Sequence, residues 1–320
     1  MNPVALGVDK ILETTVVGSF SRVGFALRSR LEAWIDPPSL AGQRVLITGA
    51  TSGLGFAAAE RLAGLGASVT IVARDETRAR TSVSALRSRS HNERVDYLLA
   101  DTSDLVAVRR VAETVAARGA LHVLIHNAGA ISATRALSAQ GYEMTVAAQL
   151  LGPFHLTRLL LASLATAPPG RVLTVSSGGM YSQPFDLATL EAPASDFDGV
   201  RAYARVKRAQ LVLNREWIHH VTSRDVVFHA MHPGWVDTPG LAASLPRFYA
   251  VARPALRTPA QGADTLVWLA GARESSRSTG DFWLDRHPRF EHKVPWTRSR
   301  DPGRDQVMLW DWCVERTAAY

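Results

Sequence analysis

The chain has a single cysteine, Cys313, among 320 residues. A lone thiol closes no internal disulfide and cannot build a thiolate zinc centre, so nothing demands an oxidising compartment. No window approaches the ~18–20 continuous apolar residues of a membrane span. The opening stretch, MNPVALGVDKILETTVVGSFSRVGFALRSRLEAW, lacks the basic leader, apolar block and small-residue cleavage site of a secretory signal. A cytoplasmic location is therefore expected. Basic residues outnumber acidic ones 36 to 29, for a net charge of +7. The arginines are scattered, with no long basic run and no basic–aromatic stripe, so nucleic acid is not an expected partner. His229 with His232, and Asp285 with His287 and His292, fall short of three ligands at zinc-like spacing, and no metal is expected. Repeats and low-complexity segments are absent.

The apolar fraction, 47%, supports a substantial core. A Pro/Gly break, PPSLAGQ at 37–43, separates a leader (1–40) from the body (41–290), and a tail follows (291–320). The leader carries apolar residues at helical spacing with Arg22, Arg28 and Arg30 among them. It reads as helical, either packed on its own domain, which is favoured, or resting on lipid. Trp283, Trp296, Trp310 and Trp312 are expected to pack the C-terminal part onto the domain. Strand-like runs at 44–48, 68–74, 95–100, 121–129, 171–177, 225–234 and 280–285 alternate with helical patterns at 56–65, 76–89, 105–118, 141–165, 201–220 and 260–270. That alternation predicts an α/β fold, a doubly wound parallel sheet of the Rossmann kind.

TGATSGLG, 48–55, leaves the first strand and enters a helix. Gly49 permits the tight turn, Gly53 lets backbone approach a pyrophosphate, and Gly55 lets helix and strand pack closely. The helix N-terminus then offers free N–H groups and a positive dipole end to the phosphates. An acidic residue at the end of the second strand would favour the ribose 2′-hydroxyl of NAD. Ala73 and Arg74 stand there instead. A guanidinium can pair with a 2′-phosphate, so NADP(H) is expected over NAD(H). Asp75 leaves the second open, since it could contact a ribose or neutralise Arg74.

YARVK, 203–207, puts Tyr203 and Lys207 four residues apart, on one helix face. A phenol titrates near ~10 and donates poorly at neutral pH unless a nearby cation stabilises its anion.

Together TGATSGLG, HNAG (126–129), VSS (175–177), YARVK and HPGWVDT (232–238) stand in the order of the short-chain dehydrogenase/reductase family. The resemblance covers roughly residues 40–285. It implies that Tyr203 protonates a carbonyl oxygen, that Lys207 binds the nicotinamide ribose and lowers the phenol's pKa, and that Ser177 polarises the carbonyl. It implies cofactor contacts along Gly49, Thr51, Ser52, Gly53, Leu54 and Gly55. Asp101 and Thr102 would lie at the adenine, and Asn127, Ala128 and Gly129 along the adenosine side. Pro233, Gly234, Val236 and Thr238 would lie by the nicotinamide.

Two positions depart from the family pattern. Gln149 stands where an Asn often joins the proton relay, and Pro153 follows closely. His126 stands where another Asn is frequent, and is expected to serve strand packing. Met180, Tyr181, Phe185 and Phe197 before the YxxxK segment, with Trp235, Leu241, Leu245, Phe248 and Tyr249 after HPG, suggest apolar lids over a hydrophobic ketone or aldehyde. Three readings follow: an NADP(H)-dependent carbonyl reductase or alcohol dehydrogenase, a dinucleotide-binding protein with little turnover, or a membrane-associated scaffold. Oligomeric state, including a homo-oligomer, is left open.

Overall fold

The computed structural model describes residues 3–221 and 225–320. The first two residues of the expected leader lie outside this range. Three helices open the chain: α1 (Pro3–Glu13), α2 (Val16–Phe20) and α3 (Arg22–Leu31). Strands and helices then alternate: β1 (Arg44–Thr48), α4 (Gly53–Gly64), β2 (Ser68–Ala73), α5 (Glu76–Ser90), β3 (Val95–Leu99), α6 (Leu105–Ala117) and β4 (Val123–His126). Next come α7 (Met144–Val146), α8 (Gly152–Ala165), β5 (Gly170–Val175), α9 (Gly199–His220) and β6 (Val226–Met231). The last elements are α10 (Pro239–Ser244), α11 (Pro246–Ala252), α12 (Pro259–Gly271), β7 (Phe282–Leu284), β8 (His287–Pro288) and α13 (Pro302–Thr317).

The eight strands lie in the order β3-β2-β1-β4-β5-β6-β7-β8. All pair in parallel except the short β7–β8 hairpin. Strands β1, β4 and β6 are apolar and buried nearly throughout, as strands covered on both faces must be. Leu46, Leu124, Val172 and Phe228 face one core, shared with α6, α8, α9 and α13. Val45, Ile47, Val123, Ile125 and Leu173 face the other, shared with α4 and α12. Strand order reverses between β1 and β4, which opens a crevice at the carboxyl ends of those strands.

Several segments differ from the pattern-based expectation. The fourth strand ends at His126, because Asn127–Gly129 turn away as the wall of the crevice rather than continuing the ladder. The segment 141–165 is not one α-helix. Residues Ala147–Leu151 form a π turn in which the Gly152 N–H reaches back to Ala147 O. Pro153 has no N–H to give Gln149 O, and Gln210 Nε2 donates to that carbonyl instead, at 2.6 Å. The Pro-rich stretch after β6 folds into α10 and α11. The tail carries the well-formed helix α13, whose Leu309 and Cys313 are fully buried. Trp310 packs there between Trp217 (4.7 Å) and His220 (3.6 Å, stacked). Trp296, by contrast, is 70% exposed.

The leader packs on the domain through Phe20 and through buried ion pairs. Arg28 and Arg257, both fully buried, converge on Asp285, with Nη1 of Arg28 2.7 Å and Nη2 of Arg257 2.8 Å from its carboxylate. Arg28 and Arg289 also hold Asp9 of α1, while Lys293 holds Glu13 at 2.8 Å.

Candidate active site

Thr48 ends β1 and pins the crevice wall. Its Oγ1 accepts from the N–H groups of Asn127 (3.1 Å) and Ala128 (3.0 Å), while Asn127 Nδ2 donates to the carbonyls of Thr48 and Gly49. A Cβ on Gly49 would meet Ala128 Cα at 2.7 Å, and one on Gly55 would meet Asn127 Nδ2 at 2.3 Å. The glycine loop and the β4 turn are thus fitted against each other, and Gly49 (φ +68°) and Gly53 (φ +56°) hold left-handed backbone besides.

Ser52 is the N-cap of α4, and its side chain makes no capping bond. Helices α5, α6, α9, α10, α12 and α13 are all capped by a side chain. The dipole end above Leu54 and Gly55 therefore keeps donors for an anion, which fits a pyrophosphate. Thr51 and Thr238 flank this loop, and a Cβ on Gly53 would lie 3.1 Å from Thr238 Cγ2.

Arg74 follows β2 with its side chain 74% exposed, 3.7 Å from Asp101 Oδ2. Asp75 is engaged elsewhere, since its carboxylate caps α5 by accepting from Arg78 N at 2.7 Å. Asp101 accepts from the Ser103 N–H and hydroxyl, shaping the β3 turn. The Thr102 carbonyl presses on Gly152, where a Cβ would sit 1.9 Å away.

Ser177 follows β5 and stands beside Tyr203 on α9. Burial raises the Tyr203 pKa above its ordinary value, and the neighbouring Ser177 hydroxyl offsets part of that rise. Lys207, one turn on, is buried with Nζ 2.8 Å from Val175 O and 5.3 Å from the Tyr203 ring centre. Loss of water pulls its pKa down to about 7. Ser176 fixes the helix from below by donating to Lys207 O at 3.0 Å.

Gln149 Nε2 donates to Ala130 O at 2.8 Å. Its Oε1 is buried without a hydrogen-bond partner among the described residues, as are His126 Nδ1 and Gln210 Oε1. These side chains line one small cavity of about 30 Å3, whose walls are otherwise largely apolar. A Cβ on Gly129 would lie 2.9 Å from Gln149 Oε1 and 3.5 Å from Lys207 Nζ, so Gly129 keeps the amide and the ammonium side by side. His126 Nε2 pairs with Thr157 Oγ1, and burial holds its imidazole neutral, with a pKa near 3.

The crevice thus gathers the glycine loop, Asn127–Gly129, Gln149, Ser177, Tyr203 and Lys207. Gly234 and Val236 serve other neighbours. A Cβ on Gly234 would meet Phe20 O at 2.5 Å, and Val236 packs over Gly262. Pro233 lies between them and buried His232. Of the expected apolar lid, Met180 and Tyr181 belong to the core around Phe20, and Phe185 packs on the core beside α9. Phe197, Leu241, Leu245, Phe248 and Tyr249 remain partly exposed, with Phe248 5.2 Å from Trp235. No group of three or more metal-ligating side chains forms among the described residues. His229 bonds Ser275 O and the Trp283 indole, and His287 bonds Glu32.

Residues 43–247 match the family model for short chain dehydrogenases. The chain is a short-chain dehydrogenase/reductase. Human dehydrogenase/reductase SDR family member 12 is 36% identical over 269 residues, 84% of each protein. Human retinol dehydrogenase 14 is 32% identical over 277 residues, covering 80% of this chain and 82% of that protein. A short chain dehydrogenase from Burkholderia cenocepacia, solved in complex with NADP, superposes with a TM-score of 0.62 at 24% identity, over 76% of this chain and 96% of that one. The chain is accordingly an oxidoreductase of the Rossmann fold. No helix among the described residues is long and apolar enough to cross a membrane.

Thr48, Ser176, Gln210 and Arg257 escaped the sequence reading. Thr48 and Ser176 lie inside quoted motifs, but only the fold reveals that their hydroxyls tie one strand end to another element. Gln210 could have been sought as the partner of a carbonyl freed by Pro153.

Proposed function

We propose that this short-chain dehydrogenase/reductase interconverts a hydrophobic ketone or aldehyde and its alcohol with NADP(H). The observation that carries the reading is Ser177 beside Tyr203, set one helical turn from buried Lys207, in the crevice below an uncapped helix N-terminus. Gly49–Gly55, Arg74, Asp101, Asn127 and Lys207 would hold the cofactor, which would supply or accept the hydride when bound. Ser177 Oγ–H polarises the substrate oxygen, and Tyr203 O–H gives it the proton that completes the alcohol. Lys207, when protonated, steadies the phenolate left behind. Gln149 stands beside Lys207, and its buried Oε1, unpaired among the described residues, is an acceptor for the relay that returns the proton. Apolar walls from Trp235, Phe248 and Leu241 favour an apolar substrate. NADPH consumption against a panel of apolar ketones and aldehydes tests this; tight NADPH binding without turnover on any of them would favour a binding protein instead.

Arg74 is the residue assigned to the 2′-phosphate. Its guanidinium is exposed at the end of β2, while the competing carboxylate of Asp75 is taken up by the cap of α5. Arg74→Ala should weaken NADPH by about 1.5–3 kcal/mol, the worth of a hydrogen bond to a charged group. NADH affinity should stay put. Equal losses for both cofactors, by fluorescence titration, would remove the 2′-phosphate role.

Gln149→Asn should leave turnover unchanged or raise it, since the shorter amide sits where the family often keeps one. Gln149→Leu should cost about 1 kcal/mol of transition-state stabilisation, one hydrogen bond's worth. Single-turnover hydride transfer in both variants checks this. No loss in the Leu variant would take Gln149 out of the relay.

A further inference from the structure

The leader buries polar groups and leaves many apolar ones outside. Beside Ala5, Leu12 and Phe20, its inner side carries Asp9, Ser19, Ser21 and Arg28, which meet Asp285, Arg257 and Arg289. Its outward side is apolar. Val4 (62% exposed), Ile11 (70%), Val17 (60%), Val23 (55%) and, just beyond α3, Ile35 (81%) face away from the domain. A helical unit whose only task was to cover its own domain would turn these residues inward. The exposed charges across α1–α3 are Lys10, Arg22 and Arg30, all basic. The two acidic residues of the same helices, Asp9 and Glu13, are held in ion pairs with Arg28, Arg289 and Lys293.

We propose that this face docks on an anionic lipid surface, with α1–α3 lying in the headgroup region and the apolar side chains dipping toward the acyl chains. An apolar face studded with positive charge matches an anionic leaflet. It does not match itself. A two-fold contact between copies would bring Lys10, Arg22 and Arg30 against the same set, with no free acid on α1–α3 to answer them. The helices, of 11, 5 and 10 residues, are too short to cross a bilayer and suit an in-plane position. The ion pairs beneath make the face rigid relative to the catalytic domain. Phe20, at the end of α2, reaches the loop beyond Ser177 and packs against Trp235, so docking would also fix how the crevice meets the membrane.

The test is flotation of the full-length protein with phosphatidylserine-containing vesicles and with pure phosphatidylcholine vesicles. Wild type is expected to float with the anionic vesicles and to dissociate from them as salt is raised. The paired substitution Ile11→Asp with Val17→Asp, at exposed positions, should lower the vesicle partition at least about tenfold, since it removes two inserting side chains and adds like charge. Arg22→Glu with Arg30→Glu should do so on anionic vesicles. Val106→Asp, at an exposed position of α6, should leave binding unchanged. Circular dichroism and thermal unfolding establish that each variant is folded. Wild type failing to float, or floating equally well in both paired variants, overturns the proposal. So does a wild-type dimer that Ile11→Asp with Val17→Asp dissociates, because the face then belongs to a second copy.

Discussion

Tyr203→Phe should lower turnover by about 10²–10⁴-fold, the span associated with loss of a positioned proton donor, while cofactor affinity stays nearly intact. The substitution keeps the ring that lies 5.3 Å from Lys207 Nζ and removes only the hydroxyl that meets Ser177. Burial works against both charged forms, raising the phenol and pulling the ammonium down to about 7. A phenolate and an ammonium formed together relieve that penalty for each other, which is why one is of little use without its neighbour. Lys207→Ala should therefore damage turnover and cofactor binding alike. Single-turnover hydride transfer and NADPH titration on both variants separate the two roles. A Tyr203→Phe protein that keeps most of its rate on a good substrate means the proton comes from elsewhere. One that loses cofactor affinity to the same extent means the hydroxyl holds the pocket's shape.

The parallel sheet was readable because its strands are fully covered: RVLIT and VVFHAM are continuous apolar runs, and the glycine turn follows the first directly. The site motifs were readable because each sits at a strand end or on one helical face, where spacing in sequence maps onto spacing in the fold. The π turn at Ala147–Leu151 was not, since the pattern of buried residues runs through it unbroken and only the missing Pro153 N–H marks it. The close packing at Gly234 was hidden for a related reason: a Cβ there would meet the Phe20 carbonyl and the Arg257 guanidinium, more than two hundred and about twenty residues away in sequence. The polar inner face of the leader was hidden likewise. Asp9, Arg28, Asp285 and Arg289 are far apart along the chain, and an arginine among apolar residues on a short helix resembles any solvated side chain until its partners are placed.

Asp285→Asn should destabilise the protein by about 3–5 kcal/mol, the cost of stripping one partner from a buried ion pair. Asp285 is fully buried and is the acceptor shared by Arg28 and Arg257, the two arginines that carry the leader. Without its charge both guanidiniums stay buried with mainly backbone carbonyls of Ser19, Phe20 and Ser21 to face, apart from the Asp9 and Glu13 bonds of Arg28. Asparagine is the right replacement because Asp285 has left-handed backbone, φ 53°, which Asn adopts at less cost than Ala. The loss then reports charge rather than strain. Acid should act in the same sense. Burial alone would raise the Asp285 carboxyl, but Arg257 and Arg28 hold it below the ordinary range; Asp9, opposed by burial and held by Arg289 and Arg28, lies at about 2. Such depressed groups contribute fully above the unfolded value near ~3.9, and that contribution is lost as pH falls toward the folded values. Urea unfolding from pH 6 down to pH 2 should therefore show a steep acid limb in wild type and a shallower one in Asp285→Asn. A variant within about 1 kcal/mol of wild type at pH 6, with an unchanged acid limb, would mean the leader is held by its apolar contacts around Phe20 and not by its charges.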